Sequence, residues 1–169
     1  MNEPAPIPTR YNGYLFRSRL EARWAVFFDA LKIEYQYEPE GFQLAAGWYL
    51  PDFFLPQVKL YAEAKPLDPD PVALAKGHEL CRRSGKGVLF LIGPPDFRVY
   101  PVLEFYKDGF LNDQTLLLDI DYHSRRYYLR EHRFFGNPGT HLNGERDEFT
   151  PEYREAVFAS RMARFESGK

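Results

Sequence analysis

The run Gly87-Val88-Leu89-Phe90-Leu91-Ile92 carries no polar side chain, and Gly93-Pro94-Pro95 ends it abruptly. A short, continuous apolar run bounded by such breakers predicts a strand buried on both faces. A strand of that kind lies inside a sheet covered by helices, which directs the chain to the α/β class. The preceding sequence agrees. Pro69 and Pro71 introduce a helix over about Val72–Arg83, closed by Ser84-Gly85 in the manner of a C-cap.

Upstream, Leu20, Trp24, Phe27, Phe28 and Leu31 recur at helical spacing and predict a helix over Ser18–Leu31. Ile33–Leu44, rich in Tyr, Phe and Glu, reads as a first strand with a turn near Pro39–Gly41. Trp48–Leu55 and Leu60–Lys65 then flank the short Pro56–Lys59 connection as a β-hairpin. The expected order is therefore α-β-β-β-α-β, a mixed sheet with helices beside it, preceded by an extended arm over the first ten residues. Arg98–Phe105, Thr115–Asp121 and Arg126–Phe135 read as further strands, and Gly136–Glu148 as a polar loop. Thr150-Pro151 opens a final helix to about Phe165, with Thr as N-cap and Pro in the first turn. At 169 residues, without repeat or linker, the chain is expected to form one domain. Its core would span about 14–95 and a C-terminal β/α elaboration about 97–169.

Composition narrows the functional classes. Cys81 is the single cysteine, which excludes an internal disulfide framework and a thiolate zinc cluster. No apolar run is long enough for a membrane span and the start is too polar for a signal peptide, so a cytoplasmic protein is expected. Tyr, Phe and Trp make up 17% of the chain, mostly as core rings, although exposed rings can stack on bases.

The chemistry is concentrated in Tyr49-Leu50-Pro51-Asp52 and Tyr61-Ala62-Glu63-Ala64-Lys65. Alternation along a strand places Glu63 and Lys65 on one face and Ala64 on the other. A hairpin turning near Gln57-Val58 sets Asp52 opposite Glu63, give or take one residue, and a slip of one would send Asp52 to the other face. Two hard carboxylates suit Mg²⁺ or Mn²⁺, which can activate water and clamp a phosphate, and a nearby lysine can orient that water. Taken singly each residue has a local explanation: Asp beside Pro favours turns, and Glu-x-Lys is commonly a solvated pair.

Pro51-Asp52 followed by Glu63-Ala64-Lys65, in an α-β-β-β-α-β order, resembles the PD-(D/E)XK nuclease superfamily with its restriction-endonuclease-like fold. The resemblance covers roughly residues 14–95. With Phe16-Arg17-Ser18-Arg19-Leu20-Glu21 it looks especially similar to the end-cleaving endonuclease subunits of cut-and-paste transposons and to small phage or bacterial endonucleases. It implies a Mg²⁺-dependent DNA endonuclease, Mn²⁺ substituting, in which Asp52 and Glu63 hold the metal with the Ala64 carbonyl. Lys65 would assist the water, and Glu21 would complete the site. Ser18-x-x-Glu21 is also a capping box, a local role that needs no active site. Two departures stand out. The helix after Lys65 lacks the Gln and Tyr of the RecB-like exonuclease branch, and Ala64 and Pro66 replace a larger apolar residue and a Gly.

Basic residues fall in three groups: Arg17, Arg19 and Arg23; Lys76, Arg82, Arg83 and Lys86; and Arg125, Arg126, Arg130 and Arg133 among Tyr127, Tyr128, Phe134 and Phe135. The first group, around Glu21, is expected to meet DNA phosphates. His123, His132 and His141 form no metal spacing. The net charge of -2 argues against a tight, sequence-blind DNA coat, and by the transposon resemblance suggests a partner protein that delivers the DNA. A non-cleaving DNA-binding or assembly module that keeps the fold, and a junction or flap nuclease, are the alternatives.

Overall fold

The computed structural model describes residues 5–98, 100–105, 111–120, 127–131 and 151–165, with backbone alone over 105, 111–120 and 127–131. Its elements are β1 (Thr9–Tyr11), β2 (Tyr14–Phe16), α1 (Arg19–Leu31), β3 (Gln36–Tyr37), β4 (Phe42–Leu44), β5 (Gly47–Tyr49) and β6 (Phe53–Leu55). These are followed by β7 (Leu60–Lys65), α2 (Pro71–Ser84), β8 (Gly87–Ile92), β9 (Tyr100–Phe105), β10 (Leu111–Ile120), β11 (Tyr127–Glu131) and α3 (Pro151–Met162). Among the described residues this is an α/β structure with three helices and a mixed sheet. Seven strands run in the order β11-β10-β9-β8-β7-β6-β3, and β7–β8 is the parallel pair, joined through α2. No helix among the described residues is long and apolar enough to cross a membrane.

The apolar run Gly87–Ile92 is β8, buried at all six positions. Its alternation divides the core. Val88, Phe90 and Ile92 pack with Leu80 and Cys81 of α2, whereas Leu89 and Leu91 pack with Trp24, Phe28 and Leu31 of α1. Both faces of the strand are thus covered by helix, as a continuous apolar strand requires. Gly77 lets α2 approach the sheet, because a Cβ there would stand 2.9 Å from Leu103 Cδ1 and 3.1 Å from Phe90 Cζ. On the α1 face, α3 adds Tyr153, Ala156 and Val157 to the same core, with Tyr153 edge-on to Phe27 at 5.2 Å.

Helix ends follow their capping residues. Ser18 accepts a hydrogen bond from Glu21 N and starts α1, and Lys32 ends it in the left-handed region at φ 58°. Asp70 accepts from Ala73 N ahead of Pro71, and Gly85 closes α2 at φ 66°.

Several expected strands are divided. The predicted Ile33–Leu44 strand is β3 and β4, which lie in different sheets, and Trp48–Leu55 is β5 and β6. The break falls at Leu50-Pro51-Asp52, where Pro51 has no N–H to give a ladder. The result is a separate β4–β5 hairpin inserted between β3 and β6, so the expected order survives as α1–β3–β6–β7–α2–β8. The predicted arm runs at Thr9-Arg10 into a β1–β2 hairpin that was not expected, whose Asn12-Gly13 turn has φ 46° and 83°. Two positive φ values make it the turn type that matches strand twist, for which Asn-Gly is the favoured pair. Toward the C-terminus, β9, β10 and β11 extend the same sheet as an antiparallel series. The final helix ends at Met162, short of the expected Phe165. The predicted Gly136–Glu148 loop and the Thr150 N-cap lie outside the described residues, as do His123, His132 and His141.

Candidate functional site

Phe53 pairs with Ala62 and Leu55 with Leu60, a register that carries Asp52 toward Glu63 as β6 leaves the ladder. Asp52 Oδ2 accepts the Ala64 backbone N–H at 2.8 Å. Along β7, Glu63 and Lys65 share a face as their spacing demands, with Lys65 Nζ 2.8 Å from Glu63 Oε1. The other carboxylate oxygen, Oε2, accepts the Tyr49 hydroxyl at 2.8 Å from the inserted hairpin.

Glu21 joins these groups from the first turn of α1. Its Oε1 accepts from Ser18 Oγ at 2.7 Å, while Oε2 accepts from Tyr37 OH at 2.7 Å and from Arg17 N at 3.0 Å. The capping box is present in altered form: Ser18 caps Glu21 N, and Glu21 returns to the Ser18 hydroxyl and the Arg17 amide. Arg17 then reaches across, placing Nη2 2.7 Å from Asp52 Oδ1 and Nε 2.6 Å from Glu38 Oε1.

Asp52, Glu63, Ala64, Lys65, Glu21 and Arg17 all line one cavity of about 620 Å³. Glu21, Asp52 and Glu63 are buried, at 7%, 5% and 7% exposure. Three buried carboxylates therefore line one cavity with the Arg17 guanidinium, the Lys65 and Lys76 ammonium groups and the exposed Asp70 carboxylate. Burial, then Glu63 and then Glu21, push the Asp52 pKa well above the ordinary aspartate value. The Ala64 N–H and Arg17 pull it back without prevailing. Burial and the Glu63 carboxylate raise the Tyr49 phenol, and burial with the Glu21 hydrogen bond raises Tyr37. Both tyrosines are thereby kept as neutral O–H donors.

The other expected contacts are dispersed. Arg19 is exposed on the first turn of α1 and does not line the cavity. Arg23 instead holds the end of α3, donating to the Ser160 and Arg161 carbonyls at 2.5 and 3.1 Å and lying over the Phe165 ring. Of the second basic group, Lys76 lines the cavity, Arg83 bonds the Gln43 carbonyl, and Lys86 covers the Phe54 and Tyr61 rings. In the third, Arg125, Arg126, Arg133, Phe134 and Phe135 lie outside the described residues, while Tyr127, Tyr128 and Arg130 belong to the β11 backbone.

Tyr49, Tyr37 and Trp48 were not singled out by the sequence. Nothing in a chain of 12 tyrosines marks the two whose hydroxyls meet buried carboxylates. Among the described residues, no three His, Cys, Asp or Glu side chains converge closely enough to hold a cation by themselves. The arrangement offers two buried carboxylates, a strand backbone beside them and a half-buried ammonium, all open to one cavity. No protein family, curated protein or solved structure was found to match the chain.

Proposed function

We propose that this protein is a divalent-cation-dependent endonuclease of the PD-(D/E)XK type that hydrolyses DNA phosphodiester bonds. The observation that carries the reading is the meeting of Asp52, Glu63 and Lys65 in one cavity, from β6 and β7 within the α1–β3–β6–β7–α2–β8 order. The restriction-endonuclease-like core is part of the same proposal.

The donor set fits a hard cation. Three buried carboxylates stand together there, and the Asp52 pKa is raised first by burial and then by the charges of Glu63 and Glu21, which a bound cation would offset. Asp52 and Glu63, with the Ala64 carbonyl, are the groups that would hold Mg²⁺ or Mn²⁺. The bound ion would supply an activated water and charge neutralisation at phosphorus. Lys65, anchored on Glu63, orients the attacking water and balances charge on the phosphate as it becomes pentavalent. Tyr49 fixes the Glu63 carboxylate from its other oxygen. Glu21 holds the Arg17 backbone, and Arg17 exchanges its Asp52 contact for a substrate phosphate.

The test is cleavage of a DNA panel in Mg²⁺ or Mn²⁺. Asp52→Ala and Lys65→Ala should each abolish cleavage while leaving the far-ultraviolet circular dichroism unchanged; undiminished cleavage by both variants overturns the proposal.

One observation favours a second reading, a DNA-binding or assembly module that keeps the fold without cutting. All four oxygens of Asp52 and Glu63 already accept protein donors, namely Arg17, the Ala64 N–H, Lys65 and Tyr49. Carboxylate oxygens retain further lone pairs, so the two readings separate on metal binding. Calorimetric titration with Mn²⁺ that detects no binding dependent on Asp52 and Glu63 supports the non-cleaving module.

A further inference from the structure

Trp48 is 64% exposed, while the other tryptophan, Trp24, is buried in the core. An indole left in water forgoes a large hydrophobic gain, so its setting decides whether it is incidental. The setting is rigid. Trp48 stands on β5, and the β4–β5 hairpin is tied to α2 at two points: both Glu79 carboxylate oxygens accept Ala45 N at 2.9 and 3.0 Å, and Arg83 donates to the Gln43 carbonyl. The inward side of the hairpin is anchored by Leu44, by Phe42 against Tyr61, and by Tyr49 on Glu63. The ring itself rests on the backbone of Gly41, where a Cβ would stand 2.0 Å from Trp48 Cζ2. It lines the same cavity as Asp52, Glu63 and Lys65, with the exposed Val72 and with Lys76.

We infer that Trp48 is a stacking platform for an unpaired nucleobase, so that the chain binds single-stranded or frayed DNA at the mouth of this cavity. The inference rests on the phosphodiester reading and names its substrate class. Bases inside a duplex are stacked on both faces and cannot offer one to a fixed indole, whereas every unpaired base can. Lys76 and Lys65 supply the cations that accompanying phosphates need, a requirement that an apolar protein partner would not have. Strand alternation gives adjacent residues separate tasks: Tyr49 turns inward to the carboxylate, and Trp48 outward to the base.

The experiment measures binding apart from cleavage. Fluorescence anisotropy of a labelled oligonucleotide is followed with Ca²⁺ in place of Mg²⁺, single-stranded DNA being compared with a blunt duplex of the same sequence. Single-stranded DNA should bind more tightly and quench the tryptophan emission. Trp48→Ala should weaken that binding by about five- to a hundredfold, the range for loss of one base–aromatic stack, while Trp48→Phe retains most of it. Absence of single-stranded binding, duplex binding as tight as single-stranded, or equal affinity of Trp48→Ala and wild type overturns the inference. Trp48-dependent binding by a wild-type protein that cuts nothing in Mg²⁺ upholds the platform and removes the proposed hydrolysis instead.

Discussion

Replacing Asp52 by asparagine should make the protein more stable at neutral pH while weakening the cation binding proposed above. Asp52 is 5% exposed and faces Glu63 and Glu21, and the balance of its surroundings disfavours the charged form. Asparagine keeps an oxygen for the Ala64 N–H, whose bond to Asp52 is 2.8 Å long. It loses the Arg17 ion pair, but Arg17 is 53% exposed and keeps Glu38 at 2.6 Å, so that loss costs about 1 kcal/mol or less. Relief of like-charge repulsion and of a buried charge outweighs it, for a net gain of about 1–2 kcal/mol. In a domain of this size that corresponds to a rise in Tm of about 2–8 °C.

The pH dependence follows from the direction of the shift. An acid whose folded pKa is raised contributes its stability fully below the unfolded value, about pH 4, and loses it as pH rises through the folded pKa. Wild type therefore loses ground above pH 4 and Asp52→Asn does not, so the two should converge near pH 4 and separate toward pH 7. Mn²⁺ at about a hundred times its Kd should stabilise wild type by about 2.7 kcal/mol and the variant far less. Thermal unfolding followed by circular dichroism at pH 4, 5.5 and 7, with and without Mn²⁺, measures all of these. An Asp52→Asn protein less stable than wild type at pH 7 would refute the reasoning, because the Arg17 and Ala64 contacts would then dominate the like charges.

Tyr49→Phe removes the donor to Glu63 Oε2 and should lower stability by about 1 kcal/mol in urea unfolding. Single-turnover cleavage should fall about tenfold as Glu63 loses its second anchor, and unchanged kinetics would show that Lys65 alone positions it. Arg23→Ala removes the bonds to the Ser160 and Arg161 carbonyls and should loosen α3 by about 1–2 kcal/mol, seen as faster amide exchange there, while DNA affinity stays unchanged. A large loss of affinity with unchanged exchange would return Arg23 to the phosphate-binding group.

The parts legible in the sequence were those set by local pattern. The all-apolar β8, the Trp24–Phe28–Leu31 stripe of α1 and the Pro71 and Gly85 boundaries of α2 each follow from burial periodicity or backbone restriction. The Asp52–Glu63–Lys65 grouping was legible because the β6–β7 turn is short, so the register could not drift far. The β4–β5 hairpin was not. Trp48–Leu55 reads as one strand until Pro51 is given its full weight as a residue that cannot join a ladder. Tyr49 and Trp48 reach the cavity because β5 ends before Asp52, which no local pattern in the sequence shows. The Asn12-Gly13 pair is a hairpin signal of its own, placed just after the prolines of the first ten residues.

Glu21 joins the local and the tertiary readings. By its hydrogen bonds it belongs to the entrance of α1, since every bond it accepts comes from Ser18, Arg17 or Tyr37. By position it is the third buried carboxylate of the cavity, and its charge is one cause of the raised Asp52 pKa. These are one arrangement. Holding the Arg17 amide at 3.0 Å sets the direction from which the guanidinium reaches Asp52, so the cap residue fixes the cation that the acidic site keeps in place. Glu21 thus bears on Asp52 twice, through the placement of Arg17 and through its own charge.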